Sequence, residues 1–391
     1  MAFDIQRARR DTPGVEHVLH FNNAGSALPP RQVVEASIEH LQLEAHIGGY
    51  EAAAEAHDKV ERVYDAAAAL IGARRDEIAV IENATRAWDM AFYSIPFSAG
   101  DRILTAVSEY ASNFIPYLQV AEKHGVSVEV VPNDEHGQLS VSALEELLDE
   151  RVKLISITHV PTNGGLVNPA EEIGRVAREA GVLYLIDACQ SVGQLPLLVD
   201  AIGCDMLSTT GRKYLRGPRG TGFLYVRRGV LEQLEPPMLD LHAAHWTSQG
   251  RYEMRPDARR FENWETNYAA KIGLGVALDY ALDWTLDAIW TRVQDLAHTL
   301  RARLDAIPAV TVRDLGVVRC GIVTFTVEGA DLQRIKERLA ERLINVTVSQ
   351  TPSTRIDMET RGLSAVARAS VHYYNDEAEI ERFVDTLEAI I

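Results

Sequence analysis

The sequence predicts an α/β protein: a large, mostly parallel sheet covered by helices, followed by a smaller C-terminal α+β unit. Three observations predict it. Short, continuously apolar segments of the kind that fill central parallel strands alternate with helical stretches from about residue 75 to 226. Several of these segments stop at polar or glycine-rich loops, as strands do where a ligand crevice lies beyond their carboxyl ends. After residue 285 the pattern changes, with strands near 311–312, 321–327 and 346–348 and helices over 332–342 and 377–390. The expected division is 21–285 for the large unit, and 1–20 with 286–391 for the small one.

In chain order, a polar arm leads into Phe21 to Pro30, where Asn23, Ala24 and Gly25 precede a proline pair. Small residues with a glycine and prolines specify a bent, closely approached backbone, which lines a pocket or simply turns the chain into the domain. Gln32 to Ile71 reads as helix, interrupted at Gly48-Gly49, and its alanine run 66–69 suits a packed interior. The strand 78–81 then runs into Ala84 and Thr85 at a helix start. Free backbone N–H groups and the positive end of a helix dipole seat an anion there, although Thr85 also reads as a plain N-cap.

The strand 102–106 is followed by a loop, 109–113, in which Tyr110 stands just past the strand end, where an aromatic ring can stack on a planar ligand. An equivalent place follows the strand 154–157, in the loop from His159 to Gly165. A helix over 170–180 leads to Leu183-Tyr184-Leu185-Ile186, which ends at Asp187, with Gln190 one turn beyond. The segment 205–210 then reaches Lys213 through Gly211 and Arg212, and a glycine-punctuated turn hands over to the strand 223–226.

Asp187 and Lys213 therefore face one crevice, and their chemistry points to pyridoxal phosphate. That cofactor needs an amine for its aldehyde, a carboxylate to keep its ring nitrogen protonated, and hydroxyls, amides and cations around its phosphate. Thr210 and Arg212, just before the lysine, are placed for the phosphate. The plainer alternative makes Asp187 a helix cap and Lys213 a solvated loop residue. Between 231 and 267 the periodicity fades, which suits a functional or subunit-contact loop. A long helix over 269–307 is expected next. Arg368 opens a late strand, where its planar fork suits a substrate carboxylate, a surface ion pair being the alternative.

Composition narrows the partners. A net charge of −17 opposes nucleic acid and anionic membranes at long range. Three widely spaced cysteines in apolar sequence, Cys189, Cys204 and Cys320, suit a reducing compartment, and no signal peptide or membrane span is legible, so a cytoplasmic location is expected. The pairs His17/His20 and His242/His245 lack supporting ligands, and no metal is expected.

Together these segments resemble the class V aminotransferase family of fold-type I pyridoxal phosphate enzymes, which includes cysteine desulfurases, isopenicillin N epimerase and hercynylcysteine sulfoxide lyase. The likeness runs from Asn22 to Asn375, and its most specific part is Asp187-Ala188-Cys189-Gln190 followed by Thr210-Gly211-Arg212-Lys213. It implies that Asp187 meets the pyridine nitrogen, Gln190 the ring hydroxyl and Lys213 the aldehyde as a Schiff base. Thr210 and Arg212 would hold phosphate, Arg212 standing where the family has histidine. The resemblance further implies Ala84 and Thr85 at the phosphate, Tyr110 over the ring, and either Thr162 or Asn163 against it. Asn23 to Gly25, Arg355 and Arg368 fall in the substrate-binding parts. A homodimer is implied too, its site completed by the Arg260 to Thr266 loop of a second copy, in which the threonine is displaced by one position.

In desulfurases a mobile cysteine precedes the carboxylate-binding arginine, and the matching stretch, 348–367, contains none. The other cysteines read as flanking the cofactor loop from its apolar side or, for Cys320, as lying on a strand. The expected function is therefore a lyase that cleaves the C–S bond of a cysteine-derived substrate by β-elimination, not a persulfide-forming desulfurase. Transamination or epimerisation of an amino acid is the alternative, and a cofactor-binding protein without turnover is a third reading. Lys213, Asp187 and Tyr110 carry the catalysis in the first two.

Overall fold

A computed structural model describes residues 3–391. The main sheet has seven strands, in the order Ile78–Ile81, Gly222–Val226, Met206–Thr210, Leu183–Asp187, Val152–Thr158, Arg102–Ala106 and Ser127–Val131. The last five are parallel, and Gly222–Val226 runs against both of its neighbours. Alternation within the buried strands feeds two apolar layers: Tyr184 and Ile186 enter one cluster, Leu185 the other. Helices cover both faces, as continuously apolar strands require.

A four-stranded antiparallel sheet, in the order Val310–Val312, Ile322–Val327, Ala365–Ser370, Thr347–Gln350, forms the second layered unit. The N-terminal arm reaches it, for Leu19–His20 pairs in parallel with Ile344–Asn345. No helix among the described residues is long and apolar enough to cross a membrane.

Several expectations change. The long helix of 269–307 is two helices, Tyr268–Trp284 and Leu286–Asp305, because Thr285 takes a left-handed φ of 64° and its side chain caps the second by accepting from Ala288 N. Hydrophobic periodicity runs through such a break without registering it. The aperiodic stretch contains an antiparallel hairpin, Ala244–Ser248 with Arg251–Met254. Ser127–Val131 escaped notice because it is a half-exposed edge strand with a glutamate in it. Arg368 lies inside its strand rather than opening it, and Cys320 precedes the strand Ile322–Val327.

Candidate active site

The sheet positions the central pair. Asp187 ends its strand opposite Thr158 on one side and Ser208 on the other. Its Oδ1 accepts from Cys189 N at 2.9 Å and its Oδ2 from Asn113 Nδ2 at 3.0 Å. The turn after it passes close to the lysine loop: Gly193 has φ 84°, and a Cβ there would lie 2.8 Å from the Tyr214 backbone.

That lysine loop is pinned from below. Gly211 N donates to Thr221 O and Gly217 N to Gly211 O, closing the turn. Arg216, fully buried with φ 61°, donates to Leu28 O, Tyr373 Oη and Thr12 Oγ1. A buried guanidinium with every nitrogen paired is costly to displace, so the loop is held rigidly. Lys213 then enters a narrow cleft that Asp187, Cys189 and Gln190 line together with it. Burial pushes its amine below the ordinary lysine range, helped by Arg212 and Arg368 and opposed by Cys189 and Asp187.

On another wall stand Ala84, Thr85, Tyr110 and Thr162. Ala84 and Thr85 head the helix Ala84–Phe92, where main-chain N–H groups have no helical acceptor. Its cap is Asn83, whose Oδ1 accepts from Arg86 N, so Thr85 is not the N-cap. Gly222 lets this helix approach the sheet, for a Cβ there would sit 2.4 Å from Thr209 O and 3.4 Å from Ala84 N. Tyr110 is the N-cap residue of the next helix and is 37 % exposed at the cleft.

Arg368 reaches the cleft through Thr162, donating from Nη1 to its carbonyl at 3.1 Å and to its hydroxyl. Its Nε is buried without a partner, and burial lowers the guanidinium to about 10. Asn163 turns away, its Nδ2 donating to Thr354 Oγ1 at 2.9 Å and Ser353 Oγ at 3.2 Å. Thr210 is buried and its hydroxyl donates to Thr221 O, while Arg212 donates to Gly25 O. Ala24 O accepts from Gln190 Nε2 at 3.0 Å, so this turn packs directly on the site. Asn23, by contrast, is spent on scaffold partners, among them Ser370 O at 2.7 Å.

Two expected residues lie apart. Arg355 is exposed and paired with Glu359. Thr266 lines a separate cleft of about 780 Å³, with Lys271, Glu262 and Tyr50. In the other direction, Cys189 was expected on the apolar side but lines the cleft. Glu109, Asn113 and Thr158 were missed as a group: Asn113 and Thr158 line the cleft, and Glu109 is buried behind them. The spacing of Glu109 and Asn113, four apart at a helix start, was the available signal.

The residues fit pyridoxal phosphate on the structure's own terms. Buried polar atoms around the cleft lack partners, namely Gln190 Oε1, Arg368 Nε and Ser208 Oγ. Unpaired groups of this kind are costly unless a ligand meets them. A carboxylate, a buried amine and a helix start converge on the same space.

The aminotransferase class-V family model matches residues 19–383. A probable cysteine desulfurase of Methanothermobacter thermautotrophicus is 31% identical over 389 residues, covering 98% of this chain and 97% of that protein. One from Synechocystis is 31% identical over 390 residues, covering 96% and 91%. The apo structure of a cysteine desulfurase from Thermococcus onnurineus superposes with a TM-score of 0.93 at 27% identity, over 100% of this chain and 98% of that one. These relatives overturn the expectation of an eliminating lyase that is not a persulfide-forming desulfurase. A loop without cysteine removes one sulfur carrier and leaves the lining of the Lys213 cleft as it is.

Proposed function

The chain belongs to the aminotransferase class-V family and uses pyridoxal 5'-phosphate, and from that premise we propose that it is a cysteine desulfurase that passes the sulfur of free cysteine to a diffusible thiol. One observation carries the reading: Lys213 and Asp187 share a buried cleft that Arg368 joins through Thr162. In this reading Lys213 would hold the cofactor at its aldehyde, Asp187 at its ring nitrogen and Gln190 at its hydroxyl. Ala84, Thr85, Thr210 and Arg212 surround the phosphate, and Tyr110 and Thr162 flank the ring. When bound, the cofactor supplies a sink for the negative charge that develops at the substrate's α-carbon.

Arg368 holds the substrate carboxylate, its free Nε supplying the second prong of a bidentate grip. Lys213, whose amine burial pushes below the ordinary lysine range, takes the proton from the α-carbon. The acceptor thiol bonds the cysteine sulfur, the Cβ–S electron pair stays with carbon, and carbon takes up a proton. Cysteine and RSH thus give alanine and RSSH.

The acceptor comes from solution because the chain's own thiols are unsuited. Burial, with Asp187 beside it, holds Cys189 protonated well above the usual thiol range, and the thiolate is the nucleophile. Cys204 and Cys320 are fully buried and outside the cleft. Incubation with L-cysteine and dithiothreitol should yield alanine in step with sulfide, in C189A as in the parent. Pyruvate and ammonia in place of alanine would overturn the activity, and loss of turnover in C189A would overturn the choice of acceptor.

The same reading includes a homodimer and a cytoplasmic location. Thr266 lies away from the Lys213 cleft of its own chain, as a contribution to a second copy's phosphate demands, and Val34, Ile38 and Leu41 expose an apolar row on a neighbouring helix. Light scattering of the purified protein tests it, with a monomeric mass as the adverse result.

A further inference from the structure

Behind Asp187 lies a second carboxylate. Glu109 is 3 % exposed, in the loop between the strand Arg102–Ala106 and the helix Ala111–His124. Asn113, four residues on, donates from Nδ2 to Glu109 Oε1 at 2.8 Å and to Asp187 Oδ2 at 3.0 Å. An amide nitrogen has two hydrogens, so these two bonds use it up. Tyr110 N adds a bond to Oε1 at 2.8 Å, Thr158 Oγ1 donates to the same oxygen, and Thr105 Oγ1 donates to Oε2 at 3.2 Å.

We propose that Glu109 is a positioning residue for Asp187: through Asn113 it fixes the orientation of that carboxylate and adds a second negative charge behind it, so that the cofactor's ring nitrogen keeps its proton to higher pH. The inference rests on Asp187 being the ring's partner. With the amide held by Glu109, Asn113 can present only N–H to Asp187, which leaves the carboxylate turned toward the cleft. A charge one amide away in a low-dielectric interior is felt strongly by a cation at the cleft.

The titratable groups facing Glu109 are few. Asp187 faces it from the strand on the far side of Val152–Thr158, and Tyr117 from the helix Ala111–His124, its hydroxyl donating to Ser156 Oγ at 2.7 Å. Tyr117 stays neutral, because burial holds its hydroxyl far above the ordinary range. Lys213 faces Asp187 from the far side of the cleft, and His159, at the end of the Thr158 strand, is kept neutral by burial. Burial pushes Glu109 up to about 7, with Asp187 adding to the shift. A bound ring cation works the other way and favours the ionised form.

The experiment is the nitrogen-15 chemical shift of ring-labelled pyridoxal phosphate bound to the full-length holoenzyme, followed against pH. Glu109→Gln keeps the shape and the Oε1 acceptor, puts an NH2 that can donate to Thr105 Oγ1 in place of Oε2, and removes the charge, so the ring nitrogen should lose its proton at least about one pH unit earlier than in the parent. A profile that coincides with the parent's overturns the proposal. Should E109Q fail to fold, Asn113→Ala breaks the bridge and leaves both carboxylates; it must displace the profile too, and a parental profile there is equally fatal. Asp187→Ala separates the two levels: if it leaves the ring nitrogen unaffected, the assignment of Asp187 has failed and not merely that of Glu109.

Discussion

Two clefts in this chain have opposite polar economies. In the roomier one, beside the 260–267 loop, Glu262 is saturated: Oε1 accepts from Val80 N at 2.7 Å, and Oε2 pairs with Tyr64 Oη at 2.9 Å and His242 Nε2 at 3.0 Å. Lys271 Nζ donates to the same tyrosine at 2.6 Å. At the narrow cleft around Lys213, Gln190 Oε1 has no partner, nor do Arg368 Nε and Ser208 Oγ, on residues that bond or pair with its lining residues Thr162 and Asp187. Volume would choose the first as the site, whereas unmet hydrogen-bonding capacity chooses the second. A protein that leaves buried polar atoms unpaired carries a free-energy cost, and a ligand that meets them recovers it.

The most drastic way to break the contrast is to remove the amine. Lys213→Ala should lower alanine formation from cysteine by roughly 10³-fold or more, since it deletes both the covalent attachment and the base. It should also remove the borohydride-sensitive absorbance of the holoenzyme. Turnover within about tenfold of the parent would return Lys213 to the status of a solvated loop residue. Arg368→Leu comes next, with kcat/KM for cysteine falling about 10- to 100-fold as a charge-assisted grip is lost. Steady-state kinetics that show no change would move the carboxylate site elsewhere.

In the saturated cleft the corresponding change should be felt as stability. Tyr64→Phe removes the hydroxyl that joins Glu262 to Lys271, leaving a buried amine without its acceptor. A loss of about 1–3 kcal/mol in denaturant unfolding is expected, with the cofactor's absorbance band where it was. A shifted band with unchanged stability would reverse the assignment of the two clefts.

Much of this was legible in the sequence, and the rest was hidden for physical reasons. Continuous apolar runs gave the central strands, because a strand buried on both faces admits little else, and their abrupt ends located Asp187. The lysine loop followed from glycines. What escaped was everything decided by a single torsion or by contacts across the fold. Thr285 breaks a helix without breaking its apolar pattern. Cys189 reads as a small hydrophobe in any apolar context, and only the sharp turn after Asp187 brings it into the cleft. Glu109 looks like an ordinary loop acid until three neighbouring elements close over it. The missing loop cysteine was given too much weight, since it bears on where sulfur goes and not on which bond is cleaved.

Two buried groups outside the lining of the narrow cleft, His159 and Glu109, should leave the weakest trace in the parent protein, where their opposed titrations nearly cancel. Burial lowers His159 from 6.5 to about 4, so between those values the unfolded chain binds a proton that the folded chain refuses. Stability from this group falls as pH falls through that window. Glu109 is raised from 4.5 to about 7, so the folded chain holds a proton that the unfolded chain has released, and stability from this group falls as pH rises through that window. Over the shared range the slopes oppose, each about 1.4 kcal/mol per pH unit at most. Unfolding of cofactor-free protein, where these groups see only protein neighbours, should therefore depend less on pH in the parent than in either variant. Glu109→Gln should gain stability relative to the parent as pH rises from 4.5 to 7, by about 3 kcal/mol. His159→Asn should gain relative to the parent as pH falls from 6.5 to 4. Parallel curves for all three proteins would mean that neither buried group changes its protonation on folding.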